Sequence, residues 1–207
     1  MSKSIEQRIE CFKSDLRELT TERVLRKHII FGECYWLDHE LYYELKQDIA
    51  SKFSIHPSEV VLVGSGKLGF SISEKAVRDS KTREIIGTKP RYREFGEESD
   101  LDIAILSPKL FDQIWLNLYE YNKAKPLWPR EKEFKKYMFE GWLRPDKLPP
   151  STPAFEIPQE WFEFFTGLTN SGKYGDYAIR AGLYKDWNFL EGYQSKAITD
   201  CLNELEL

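Results

Sequence analysis

Two aspartates separated by one residue stand at the start of an apolar run. Asp100 and Asp102 flank Leu101, and the sequence continues as Ile-Ala-Ile-Leu through residue 106. Residues two apart on a strand share a face, with Cα atoms about 6.6 Å apart. Neighbouring carboxylates repel each other unless a cation compensates them, and hard oxygen ligands suit Mg²⁺ or Mn²⁺. The pair therefore predicts a divalent-cation site; the alternative is an exposed acidic pair without a ligand.

A glycine-rich segment follows an earlier apolar run. The run Val60–Val63 leads into Gly-Ser-Gly-Lys-Leu-Gly at 64–69, which has the form G-x-G-x-x-G. A dinucleotide-binding fingerprint needs a helix after the glycines and an acidic residue after the next strand. The following Phe-Ser-Ile-Ser is a poor helix former, so a nicotinamide-dependent dehydrogenase is the weaker alternative. A Walker A loop is excluded, because Leu68 stands where Ser or Thr should bind magnesium.

Together, the two motifs resemble the nucleotidyltransferase superfamily typified by DNA polymerase beta, which includes the minimal bacterial nucleotidyltransferases. The resemblance covers residues 59–107 and rests on Gly64, Ser65, Asp100 and Asp102. It implies an α+β fold in which a small mixed β-sheet is flanked by helices. It also implies that Gly64 and Ser65 hold the terminal phosphates of an NTP, and that Asp100 and Asp102 bind the Mg²⁺ or Mn²⁺ bridging them. Lys67 is either a further phosphate contact or an exposed turn lysine.

The sequence departs from that family in the spacing of the two motifs. Ser65 and Asp100 are 35 positions apart, where the family often has about a dozen residues. The insertion, residues 74–99, is predicted to be a long loop. It either clamps a triphosphate or a nucleic-acid acceptor, or is an ordinary solvated loop. Its basic residues are Lys75, Arg78, Lys81, Arg83, Lys89, Arg91 and Arg93.

The third carboxylate of the family is not identified. Active members place it on a neighbouring strand, which here is predicted at Tyr177–Tyr184, and the interior of that strand offers Arg180. Asp176, Asp186 and Glu156 are the alternatives. If one of them lies beside the aspartate pair, transfer is favoured; if Arg180 fills that place, binding without transfer is favoured.

Hydrophobic periodicity predicts the elements that must position these residues. A stripe from Ile5 to Leu19 predicts the first helix, fourfold spacing predicts a second over 37–53, and residues 28–34 are ambiguous. Strands are predicted at 60–63, 101–106 and 177–184. Ser107 and Pro108 predict the start of a helix through about 122, with Trp115 among its inward residues. Further helices are predicted over 130–142, over 161–168 after a proline-rich connector, and over 190–205. The prediction is one domain, 1–207, with an N-terminal helical part, 1–57, and a sheet core with C-terminal helices, 58–207.

Composition narrows the class of protein. Lys and Arg number 30 against 34 Asp and Glu, a net charge of −4, which disfavours a general DNA-coating protein. The three cysteines form no CxxC pair, so neither a disulfide framework nor a structural zinc site is predicted. The three histidines show no ligand spacing. No signal core or apolar run of membrane-spanning length is present, so a cytoplasmic protein without membrane association is expected.

The resulting hypothesis is a metal-dependent nucleotidyltransferase that moves NMP from an NTP, with ATP favoured, to a hydroxyl acceptor and releases pyrophosphate. Nucleotide, RNA, protein and small-molecule acceptors remain open, as does a protein partner or a homo-oligomer. The resemblance suggests bacterial stress response, toxin–antitoxin or antiviral (phage) defence as the setting. The alternative is a catalytically degenerate nucleotide-binding sensor, or an antitoxin-type partner subunit, of the same fold.

Overall fold

The computed structural model describes residues 4–79, 81, 82, 84–124, 128–153 and 155–205. Four strands form a mixed sheet in the order β1 (Val60–Val63), β4 (Leu101–Leu106), β6 (Ile179–Tyr184) and β5 (Trp142–Leu143). β1 is antiparallel to β4, β4 is parallel to β6, and β5 is antiparallel to β6. The α+β class and the small mixed sheet predicted from the sequence are confirmed.

Eight α-helices accompany the sheet in the described chain. They are α1 (Ile5–Glu18), α2 (Thr21–Leu25), α3 (His39–Phe53), α4 (Gly64–Leu68), α5 (Pro108–Ala124), α6 (Glu131–Phe139), α7 (Ile157–Asn170) and α8 (Trp187–Leu205). A π-helical turn, Arg26–Ile30, continues α2, and short 3₁₀ turns occupy Pro57–Glu59 and Pro145–Lys147. The ambiguous segment 28–34 is thus the end of this π-helical turn followed by bends.

The strands alternate between two hydrophobic clusters. Leu62, Ile103 and Leu183 face a cluster shared with α3, α5 and α7. Val61, Ala104 and Tyr184 face the opposite cluster, shared with α1, α2 and α8. Since side chains alternate along a strand, a sheet covered on both faces needs apolar residues at nearly every position, which is the pattern of both apolar runs. The helices of segment 1–57 lie on both faces of the sheet.

Local sequence signals account for where several helices begin. Ser4 and Gln7 form a capping box at α1, and the side chain of Asp38 accepts a hydrogen bond from the Leu41 amide at the start of α3. The Ser107 hydroxyl accepts a hydrogen bond from the Leu110 amide, as expected for the predicted start of α5. The prediction for Trp115 was wrong, because its side chain is 52% exposed while Phe111 and Ile114 are buried.

The insertion is more ordered than the predicted long loop. It contains a hairpin of β2 (Lys75–Arg78) and β3 (Ile85–Lys89), paired antiparallel. Most of the hairpin side chains are exposed, so no period-2 burial pattern marks it in the sequence. The predicted helix over 130–142 is likewise shorter, because Gly141 ends it and residues 142–143 become β5.

Gly141 fixes the place where β5 joins the sheet. Its backbone has φ +63°, and a Cβ there would overlap the ring of Phe189 on α8. Its carbonyl also accepts a hydrogen bond from the Lys185 amide. We expect Gly141→Ala to destabilise the protein by about 2 kcal/mol or more, because strain and overlap add.

Gly167→Ala is the matched control for that substitution. Gly167 lies on α7, where an added Cβ meets nothing within 4 Å. Alanine is favoured over glycine within a helix by up to about 1 kcal/mol, so this variant should be slightly more stable than wild type. Urea unfolding of the two variants should move the midpoint in opposite directions; equal midpoints would contradict the packing assigned to Gly141.

Candidate functional site

The strand register brings the two sequence motifs together. Val63, the last residue of β1, pairs with Asp102 on β4. Gly64 follows directly with φ +69°, and a Cβ on it would stand 3.0 Å from Asp102 Oδ2. Glycine is required here for the left-handed backbone and for the close approach of the carboxylate. The glycine turn and the aspartate pair, which are distant in sequence, therefore form one site.

The remaining glycines of the motif serve packing. A Cβ on Gly66 would stand 2.8 Å from the Leu101 side chain, and Gly69, with φ +91°, ends α4. The segment forms a five-residue helix after β1, and the next strand of the sheet, β4, runs antiparallel to β1. A dinucleotide fingerprint requires a parallel βαβ unit at this point. The described chain forms no such unit here, so the dehydrogenase alternative loses its structural basis.

Asp102 carries an unbalanced negative charge. Its side chain is accessible from a cavity, yet protein atoms surround it closely. The pKa of Asp102 is raised to about 6: burial is the largest cause, the neighbouring Asp100 carboxylate adds to it, and Arg180 and Lys75 partly oppose both. A group held in this way favours either a proton or a bound cation, and both carboxylates offer the hard oxygen atoms that Mg²⁺ and Mn²⁺ prefer. The residues present therefore fit a divalent cation.

Arg180 occupies the place where a third carboxylate was sought. It pairs in register with Asp102 across β4 and β6, and its Nε lies 3.4 Å from Asp100 Oδ2. The guanidinium is 69% exposed, so it is free to contact a ligand. Glu156 precedes α7, Asp176 is exposed before β6, and the side chain of Asp186 accepts a hydrogen bond from the Asn188 amide. Within the described chain, these three acids do not line the cavity that holds Asp102.

The cavity beside Asp102 has a volume of about 970 Å³. It exists because β5 pairs only with the end of β6, which leaves the edge of residues 179–182 open. The glycine turn contributes Gly64 and Ser65 to its wall, and the segment after α4 contributes Ser71 and Ser73. Its volume is within the range of small-molecule sites.

Helix α8 forms a wall that the sequence prediction missed. Lys196 and Asp200 line the cavity, together with Tyr193 and Ala197. These positions follow the three-and-four spacing of one helix face, so the helical period from Tyr193 is the signal that would have found them. Lys196 also pairs with Glu140 at 3.3 Å.

Lys67 lies elsewhere. Its side chain is 2% exposed, its Nζ donates a hydrogen bond to the Gly32 carbonyl, and it stands 5.3 Å from the centre of the Tyr42 ring. Burial lowers the pKa of Lys67. It does not line the cavity, so neither a phosphate contact nor an exposed turn lysine describes it, and we leave it out of the site.

Several basic residues of the insertion make structural contacts, within the insertion or from it to neighbouring elements. Arg91 pairs with Glu204 and donates to the Ile72 carbonyl, and Arg93 donates to backbone carbonyls at 89 and 90. Lys89 pairs with Glu98. Lys75 acts on the site, since its charge lowers the pKa of Asp102. Arg83 lies outside the described residues.

Comparison of the chain with protein-family models, with curated proteins and with solved structures yields no match. Among the described residues, no helix has both the length and the apolar character needed to cross a membrane.

The raised pKa of Asp102 predicts a pH-dependent stability. The folded-state pKa of about 6 exceeds the ordinary value of 3.8, so the group stabilises the fold below that ordinary value and loses this contribution as pH rises through 6. Asp102→Asn, measured in a chelator, should therefore be more stable than wild type at neutral pH. Allowing for contact with the solvent-filled cavity, we expect about 1 kcal/mol, or a Tm higher by about 2–4 °C.

The difference in Tm should shrink as pH falls through 6 and vanish below about 3, where wild-type Asp102 is protonated in both the folded and the unfolded state. Asp200→Asn removes one negative charge from the α8 wall of the same cavity and is the matched control. A stability gain for Asp102→Asn that persists unchanged at low pH would contradict the proton-linked origin.

Proposed function

We propose that the chain is a metal-dependent nucleotidyltransferase that binds an NTP in the cavity between β4, β6 and α8. The observation that carries the proposal is the contact between the glycine turn and Asp102, supported by the neighbouring charge of Asp100, which acts on Asp102 and pairs with Arg180. Phosphate-holding backbone, hard carboxylate ligands and an accessible arginine are the groups that phosphoryl-transfer chemistry needs.

The residues of the site have separate roles in this proposal. Gly64 and Ser65 hold the terminal phosphates through backbone amides and the serine hydroxyl. Asp100 and Asp102 would hold Mg²⁺ or Mn²⁺, which supplies neutralisation of the phosphate charge when bound. Arg180 adds a positive charge beside the phosphates. The α8 wall, with Lys196 and Asp200, faces the rest of the nucleotide and the acceptor.

The proposed transfer step balances as an in-line displacement. The acceptor hydroxyl oxygen bonds to the α-phosphorus, and the bond from that phosphorus to the oxygen bridging the β-phosphate breaks. Pyrophosphate leaves with the bond electrons, and the hydroxyl proton passes to cavity water, because Arg180 and not an acid stands beside Asp102. Positioning and charge neutralisation supply the catalysis.

The test is incubation with each α-labelled NTP and Mg²⁺ or Mn²⁺. Wild type should transfer label to a polymer, a small product or a protein, and the Asp100→Ala/Asp102→Ala double variant should fall to the level without protein. Asp176→Ala removes an exposed carboxylate away from the cavity and should keep full transfer. Transfer of label by the double variant would contradict the nucleotidyltransferase assignment, provided that its circular dichroism spectrum matches that of wild type.

Arg180 favours a second candidate, nucleotide binding without transfer. With Arg180 paired to Asp102, the described strand β6 offers no carboxylate to accept the hydroxyl proton, as expected of a sensor or a partner subunit in a stress or defence system. In that case the wild type binds NTP, the double variant does not, and neither transfers label.

Both candidates make Arg180 a phosphate contact. We expect Arg180→Ala to weaken ATP binding about tenfold, because a charge-assisted hydrogen bond contributes about 1.5–3 kcal/mol and solvent exposure reduces it. Arg17, an exposed residue of α1, supplies the control Arg17→Ala, which should bind as wild type. Calorimetric titration with ATP and Mg²⁺ measures both. Equal affinities for the two variants would place Arg180 outside the nucleotide site.

A further inference from the structure

A second cluster of ligand-forming side chains lies on the N-terminal helices. Cys11 and Asp15 stand one turn apart on α1, and His28 reaches them from the π-helical turn. One ligand atom from each of the three residues lies within 4.8 Å of the others. The side chains of Asp15 and His28 are only 11% and 14% exposed. The cluster shares no residue with the Asp100–Asp102 site.

The backbone explains how His28 comes to face α1. The turn Arg26–Ile30 closes with a hydrogen bond from the Phe31 amide to the Arg26 carbonyl, which inserts one residue more than an α-helical turn. Such π-helical turns often occur at functional sites, because the extra residue redirects a side chain. The His28 ring packs edge-on against Phe12, with ring centroids 5.2 Å apart.

Asp15 already binds cationic and polar groups at this position. Lys27 Nζ lies 2.7 Å from Asp15 Oδ2, and His28 Nε2 lies 2.6 Å from the same oxygen. The Lys27 side chain is 53% exposed, so it can leave for solvent without unpacking the core. The carboxylate is thus a cation-binding group whose present partner is displaceable.

The donor set selects the kind of metal. A thiolate, an imidazole and a carboxylate suit Zn²⁺ and related borderline metals, whereas Mg²⁺ takes oxygen ligands. Ligands of tetrahedral zinc, with bonds of about 2.0–2.3 Å, stand about 3.5 Å apart. The observed separations therefore require shifts of about 1 Å, which side-chain rotation on α1 supplies.

We propose that Cys11, Asp15 and His28 form a Zn²⁺ site that joins α1 to the π-helical turn. The metal would replace two partners of Asp15, the Lys27 ammonium and the His28 hydrogen bond, and the proton of that bond would move to the other ring nitrogen or to solvent. The proton of the Cys11 thiol would be released to solvent. Three protein ligands leave one position for water or an external ligand. Sequence spacing gave no sign of this site, because two ligands lie on one helix face and the third follows in an irregular turn.

Co²⁺ titration of the reduced, metal-stripped full chain tests the proposal. A near-ultraviolet thiolate-to-cobalt charge-transfer band that saturates at one equivalent and is displaced by Zn²⁺ is the expected result. Cys11→Ser should lose the band, while Cys34→Ser, the matched thiol control, should keep it. Asp100→Ala/Asp102→Ala should also keep it, so failure of the nucleotide site and of this site are distinguishable.

Zinc affinity measured by competition with a chromophoric chelator gives the second readout. His28→Gln should weaken Zn²⁺ binding by at least about tenfold, because the loss of even a hydrogen-bond partner of a metal ligand typically weakens metal binding by that factor. Zn²⁺ should also slow alkylation of Cys11 in wild type and leave Cys34 unchanged, a measurement that needs no variant to fold. Absence of the thiolate band in wild type, or its survival in Cys11→Ser, would overturn the site and leave Asp15 in an ion-pair cluster only.

Discussion

The register between β1 and β4 is the constraint on which the candidate site depends. Val63 faces Asp102 because Val61 faces Ala104 and Leu62 faces Ile103, each pair in its own hydrophobic cluster. A slip by one residue would turn the Asp102 carboxylate into the cluster with α3 and α5, where an uncompensated charge is strongly disfavoured. The core residues of two short strands therefore place the carboxylates, and the cost of burying the Asp102 charge acts in the same direction.

The balance of charges around Asp102 determines which ligands the site favours. The Asp100 and Asp102 carboxylates repel each other. Two cationic side chains partly compensate them: Arg180 on the next strand and Lys75 on the insertion hairpin. A divalent ion bound by the carboxylate oxygens would compensate their charge more strongly than these two side chains. Arg180 in particular is largely solvated, which weakens its ion pair. The raised pKa of Asp102 reflects its burial first and the remaining repulsion from Asp100 second. In the proposed function, a nucleotide bound together with its cation would relieve that repulsion and give Arg180 a phosphate partner.

Periodicity in the sequence was enough for β1, β4 and β6 and for most helices, because these segments are buried on a regular face, but the two-residue strand β5 was missed. It was not enough where burial is irregular. The hairpin of β2 and β3 is exposed, so its strands carry no alternation, and Lys67 looks like a turn lysine although the Gly32 carbonyl and the Tyr42 ring enclose it. The aspartate pair and Gly64–Ser65 were found because they adjoin strands. Asp200 and Lys196 share a helix face with Tyr193, but the sequence does not show that this face meets the cavity, because tertiary packing decides where α8 lies.

One layer of helices lies between the Cys11–Asp15–His28 cluster and the cavity beside Asp102. Arg26, in the turn that carries His28, pairs with Glu191 on α8 at 2.9 Å, two residues before the cavity-lining Tyr193. Phe12, Leu25 and Ile198 pack together in the cluster between this layer and the sheet. Close-packed interiors transmit displacement and do not absorb it. The Zn²⁺ proposed to join the π-helical turn to α1 would therefore bind next to the layer that also carries α8 and the cavity wall. The Arg26–Glu191 pair is a direct side-chain contact between that turn and α8.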